Sequence, residues 1–145
     1  PAVTGTDPTL QARKNEFYAL FGAHLQKIRN KRREFIICGN WHIAHTAADV
    51  QNSKDNGTTS GFLTEERQWL DELLESGYVD AFREVSSDQD EFTWWPGAPR
   101  GENGWRTDFH IISQGLKYAV DYGSIYKIKE FSSHAPVIMD YDIEV

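Results

Sequence analysis

The chain is short of the residues that would place it in several functional classes. It has one cysteine, Cys38, in 145 residues, so no internal disulfide can form and a disulfide-stapled scaffold is excluded. A lone thiol suits the cytoplasm or another reducing compartment. Cys38 lies in the run Phe35-Ile36-Ile37-Cys38, which reads as a small buried hydrophobe rather than a nucleophile. No apolar run approaches the ~18 residues of a membrane-crossing helix, so no membrane partner is expected. Pro1 to Gly5 lack the basic stretch and apolar core of a signal peptide. Positive charge is also scarce, with 15 Lys and Arg against 22 Asp and Glu and a formal charge of −7. Proteins that bind nucleic acid on their own usually present a basic face. DNA therefore remains a possible partner, weakened by the acidic balance.

What is present fits one domain spanning residues 1–145, without repeats or low-complexity tracts. Asp7-Pro8 reads as the N-cap and first position of a helix. Leu10, Phe17, Leu20, Phe21, Leu25 and Ile28 then follow helical spacing to about Asn30. Glu34 to Gly39 reads as a strand, and Thr46 to Ser60 as a polar loop. Thr64, followed by Glu65 and Glu66, predicts the start of a second helix, with Trp69, Leu70, Leu73 and Leu74 on its apolar face and Gly77 as its stop. Further strands are predicted around Phe92–Trp95, Thr107–Ile112, Ala119–Ile128 and Pro136–Tyr141. The expected fold is α/β, one mixed sheet of about five strands with two helices on one face.

Phe35–Cys38, Phe109–Ile112 and Val137–Met139 are continuous rather than alternating apolar runs. Such strands imply a sheet covered on both faces, and two helices can cover only one. The open face predicts a homodimer or a partner subunit that supplies the missing layer.

Four segments combine polar side chains with strand ends, where α/β sandwiches place their sites. They are Gly39 to His45, Trp94-Trp95, Gly104 to Phe109 and Phe131 to Pro136. Asp108 and His134 are the best acid–base candidates, because a carboxylate can hold an imidazole in one tautomer. A plainer reading has Asp108 capping a loop and His134 as a structural histidine. His42, His45 and His110 are possible metal donors, but an isolated His-x-x-His is a weak zinc signal. Trp94, Trp95 and Trp105 suit either a base- or sugar-stacking pocket or the core.

Taken together, these segments resemble the exonuclease III and apurinic/apyrimidinic endonuclease family, of the endonuclease–exonuclease–phosphatase fold. Gly39 to His45 is similar to its Gly-Asp-x-Asn-Ile-Ala-His, Trp105 to Phe109 to its Trp-Arg-Ile-Asp-Tyr, and Ser132 to Pro136 to its Ser-Asp-His-Ala/Cys-Pro. Asn52 to Asn56 and Ser60 to Arg67 resemble two further family stretches. The resemblance is to the C-terminal half of such a nuclease, and it implies half of a four-layer α/β/β/α sandwich.

The resemblance also implies a site with altered chemistry. Asn40 stands where the family has the Asp that helps activate water, and His42 where it has an Asn that orients the phosphate. An amide cannot take a proton as a general base. Ser133 replaces an Asp at the family's metal site and is a poor magnesium ligand by comparison. Asp108 and His134 keep their residue types. Asn56, Trp94, Trp95, Arg100 and Trp105 are the implied substrate-binding positions. The expectation is a truncated protein with little or no nuclease activity, acting as a structural or interaction module through its open sheet face. The alternative is a magnesium-dependent phosphodiesterase active only as a dimer or with a partner half.

Overall fold

The computed structural model describes residues 7–97 and 100–144. The expectation for Pro1 to Gly5 lies outside them. Helix α1 is Pro8–Arg29, begun by Asp7, whose carboxylate accepts from the backbone N–H groups of Thr9 and Leu10. Strand β1 (Ile36–Asn40) follows, then helix α2 (Thr64–Glu75), strand β2 (Tyr78–Asp80), the short helix α3 (Ala81–Val85), and strands β3 (Asp108–Ser113), β4 (Val120–Ile125) and β5 (Val137–Tyr141). Helix α2 is anchored by Glu66, whose carboxylate accepts from the backbone N–H of Gly61 and Leu63.

The architecture is that of an α/β sandwich half, with α1 and α2 packed on one sheet face. The five strands divide into a three-stranded sheet, ordered β1-β3-β2, and a β4–β5 ribbon. Every ladder among the described residues is antiparallel. The main core joins Tyr18 and Leu25 of α1, Leu70 and Leu73 of α2, and Phe109 and Ile111 of β3. A second core gathers Phe82, Phe92, Trp95, Ile125 and Ala135.

Several local expectations change. Strand β1 is not buried on both faces: only Ile37 is even partly covered, and Cys38 is exposed. Ile37 packs against the core formed with α1 and α2, while no layer among the described residues covers Ile36 and Cys38 on the other face. Strand β5 alternates between half-buried and exposed residues. On α1, Leu10, Phe17 and Leu20 face outward, while Lys14, Tyr18 and Leu25 are buried. Lys14 is tolerated there because its ammonium meets Glu66 at 2.7 Å, with both side chains essentially inaccessible. Phe92–Trp95 makes isolated bridges from Trp94 to Trp105 and to His134 rather than a strand. The short β2–α3 unit has no counterpart in the sequence reading.

Candidate active site

Strands β1 and β3 deliver two of the site residues to one place, because Asn40 and Asp108 are register partners at the end of their ladder. The loop before β5 adds His134, tied to Trp94 by a backbone bridge. His134 Nδ1 lies 2.8 Å from Asp108 Oδ2. A carboxylate only accepts, so Nδ1 carries the proton and Nε2 is left as the basic nitrogen. The two side chains are 30% and 19% exposed, close enough to solvent for chemistry and covered enough to be ordered.

Asn40 faces that nitrogen. Its Oδ1 accepts from the backbone N–H of His42 at 2.9 Å, which turns its amide nitrogen to within 3.5 Å of His134 Nε2. Thr93 lies behind the carboxylate and was not singled out in the sequence. Its hydroxyl donates to Asp108 Oδ2 at 2.6 Å, and Thr107 Oγ1 lies 3.3 Å from the same oxygen.

Asn40, Asp108 and His134 line an open groove of about 300 Å³, bounded by Gly39, His110 and Phe131. A second cavity, about 260 Å³, is lined by His42, Asn56, Trp94 and Trp105. The two adjoin through Trp94, whose ring lies nearly parallel to the His134 imidazole with centroids 5.9 Å apart. Burial, together with positive charge that includes Lys14, lowers the His42 pKa to about 4. At neutral pH the second cavity therefore presents a neutral imidazole between aromatic walls.

Not every predicted residue reaches the site. Trp95 is 6% exposed and packs in the second core, where its area is best buried. Arg100 directs its guanidinium to the carbonyl oxygens of His134 and Ser132 and stacks over Trp95, so it braces the His134 loop. Asn56 lines the second cavity while its amide is engaged by Asn52 and Thr59. The three candidate metal histidines are separate: His42 is in the second cavity, His45 pairs with Asp71, and His110 Nδ1 lies 3.0 Å from the Tyr141 hydroxyl.

Magnesium, which the family resemblance implies, takes oxygen ligands and favours carboxylates. Asp108 is the one carboxylate in the groove lining, and no group of three or more His, Cys, Asp or Glu side chains gathers among the described residues. The donors present do not fit a magnesium cage.

Arg106 was also passed over as a structural element. Its buried guanidinium meets Asp49 at 2.7 Å and Asp80 at 2.6 Å, and Asp49 also receives Arg83. This cluster ties the loop after β1, the end of β2 and the approach to β3 together, two residues before Asp108 in the chain.

Models of known protein families include none that matches the chain. Individual relatives are evident. The chain is 35% identical over 112 residues to an exodeoxyribonuclease of Bacillus subtilis, a match covering 74% of this chain and 44% of the relative. It is 32% identical over 139 residues to a DNA-(apurinic or apyrimidinic site) endonuclease of Dictyostelium discoideum, covering 92% of this chain and 38% of the relative. An AP endonuclease structure from Archaeoglobus fulgidus superposes with a TM-score of 0.84 and 20% identity, over 97% of this chain and 57% of the other. A Neisseria 3′ phosphatase bound to a product DNA hairpin gives 0.82 and 23% identity, over 94% and 56%. The chain is exonuclease III-like.

This exonuclease III-like chain has the endonuclease–exonuclease–phosphatase fold. Two expectations are corrected by the extent of the match. A likeness to a C-terminal half alone, and with it a truncated module working through an open sheet face, is not what the comparisons describe. The correspondence takes in 92% of the chain in sequence and 94% to 97% in structure, so the family pattern runs through nearly all of it. The chain spans 44% and 38% of the length of the two curated relatives. That proportion describes the relatives and does not fix where this protein begins or ends. No helix among the described residues is long and apolar enough to cross a membrane.

Proposed function

We propose that this chain binds and hydrolyses phosphoesters of DNA, with the Asp108–His134 groove as the reacting centre. One observation carries the reading: His134 Nε2 faces an open groove, while Nδ1 is committed to Asp108 at 2.8 Å. An imidazole held this way can take a proton from an attacking water and return it to a departing oxygen. The Asn40 amide donates hydrogen bonds toward the groove and helps seat a phosphate oxygen. The neighbouring cavity between Trp94 and Trp105 receives the sugar next to the reacting phosphate. The names of the relatives, an exodeoxyribonuclease and an AP-site endonuclease, support DNA carrying strand ends or abasic sites as the substrate class.

Magnesium is associated with the family; were it bound, Asp108 is the groove's one carboxylate to meet it, and it would add charge neutralisation. Because the described donors do not form its cage, each step above is assigned to His134, Asp108 and Asn40. Any DNA contact must be local, since the chain carries a formal charge of −7.

The test is cleavage of duplex oligonucleotides bearing one abasic site, a recessed 3′ end or a 3′ phosphate, with and without added magnesium. Turnover that falls by about 100-fold or more in His134→Ala and Asp108→Ala supports the reading. Cleavage that survives both substitutions, or the absence of both binding and cleavage for all three substrates, refutes it.

A further inference from the structure

We propose that Thr93 is a positioning residue, fixing the Asp108 carboxylate so that His134 is held as its Nδ1–H tautomer. Thr93 is fully buried at 0% exposure. Its hydroxyl oxygen receives the backbone N–H of Thr107 at 3.1 Å and of Asp108 at 3.2 Å. A hydroxyl has two acceptor sites and one proton, so with both acceptor sites occupied only the proton remains to be directed. It has two acceptors in reach: Asp108 Oδ2 at 2.6 Å and Trp105 O at 3.5 Å. The shorter contact, to a charged acceptor, is the stronger by a wide margin. The backbone at the start of β3 thus orients the Thr93 hydroxyl, and the hydroxyl orients the carboxylate.

The consequence lies in which carboxylate oxygen is occupied. Thr93, Thr107 and His134 all address Oδ2. With Thr93 holding Oδ2 toward the interior, the imidazole approaches the carboxylate along one direction and presents Nε2 to Asn40 and the groove. Without the hydroxyl, a half-buried carboxylate can rotate about its χ2 bond, which is broad for Asp, and the tautomer preference loses its anchor. The catalytic meaning of this arrangement rests on the phosphoester reading, but the arrangement can be measured without a substrate.

The experiment is nitrogen and proton NMR of the full chain, comparing wild type, Thr93→Val and Thr93→Ser. Wild type is expected to show His134 as the Nδ1–H tautomer. It should also show direct cross-relaxation between the Nδ1 proton and a slowly exchanging Thr93 hydroxyl proton, since both point at one oxygen. Thr93→Val should convert His134 to a tautomer mixture while the amide spectrum stays native-like, and Thr93→Ser should restore the wild-type signature. An unchanged His134 signature in a folded Thr93→Val overturns the proposal. If that variant does not fold, the proposal is still decided by the other two: a wild-type spectrum without the cross-peak, or a folded Thr93→Ser that loses the Nδ1–H tautomer, overturns it. A failed nuclease assay leaves these readouts untouched, so the two readings fail separately.

Discussion

Asn40 is the register partner of Asp108, and its amide nitrogen lies 3.5 Å from the imidazole nitrogen that Asp108 does not hold. An amide thus lies against the free imidazole nitrogen of the Asp108–His134 pair, where a carboxylate would accept. Asn40→Asp is nearly isosteric and reverses that polarity. It adds a second carboxylate beside Asp108, giving a proton acceptor and an oxygen donor suited to magnesium. Phosphodiester cleavage in magnesium should rise by about 10-fold or more, the added base and metal ligand outweighing the lost amide hydrogen bond to the phosphate. Single-turnover assays on abasic-site duplex check this; an unchanged or reduced rate counts against the groove as the reacting centre.

The Arg106 cluster predicts an acid limb in stability. Burial alone would raise the Asp49 pKa, but the Arg106 guanidinium, with hydrogen bonds from Arg106 and Arg83, holds it well below the usual carboxylate range. The folded-state value is therefore depressed. Asp49's contribution is complete above its unfolded pKa of about 3.9 and is lost as pH falls below that toward the folded value. Arg106→Met leaves Asp49 and Asp80 short of their partner and should cost about 3–5 kcal/mol. Urea unfolding at pH 7 and at successively lower pH measures both effects, and the variant should show a shallower acid limb than wild type.

Lys14 and Glu66 form a second buried pair, and here the network reaches the site. Lys14 Nζ donates to the His42 carbonyl at 2.7 Å, while Glu66 holds the Gly61 N–H at 2.6 Å. Breaking the pair by Lys14→Met strands a buried carboxylate and should cost about 3–5 kcal/mol. The double variant Lys14→Met/Glu66→Gln should recover a large part of that loss. A double-mutant cycle by chemical denaturation gives the coupling, and simple additivity would mean that the two side chains are independent.

His42 gives a pH prediction of the opposite origin. Its folded pKa is about 4 against an ordinary 6.5, mainly because burial disfavours the imidazolium. The unfolded chain binds the proton first, so His42 lowers stability as pH falls from about 6.5 toward 4 and has no effect above that window. Imidazole NMR should show it neutral at pH 5.5. His42→Asn should remove this part of the pH dependence.

The fold was legible where local chemistry and tertiary packing agree. Asp7-Pro8 specifies the start of α1, and the Trp69–Leu70–Leu73–Leu74 stripe specifies how α2 lies on the sheet. The Asp108–His134 pair was legible because strand-end polar residues flank apolar runs. Legibility failed where tertiary packing outranks composition. Ile36 to Cys38 has the makeup of a doubly buried strand, yet only Ile37 meets the helix-side core, and the described residues put no layer over Ile36 and Cys38. Trp94 and Trp95 are adjacent and chemically alike, but Trp94 borders the cavity and Trp95 fills a core, because successive extended residues point to opposite sides.

By itself the sequence determined α1 and α2, the runs that become β1, β3, β4 and β5, and the choice of Asp108 and His134 as the pair to look for. Only the tertiary structure decided that Thr93 orients Asp108, that Arg100 and Arg106 brace loops, and that Lys14 is buried against Glu66. Those roles depend on side chains meeting from distant parts of the chain. A hydroxyl or a guanidinium carries no mark in the sequence of whether its partner is water, a backbone carbonyl or a buried carboxylate; packing alone makes that choice, by removing water and leaving one partner in reach.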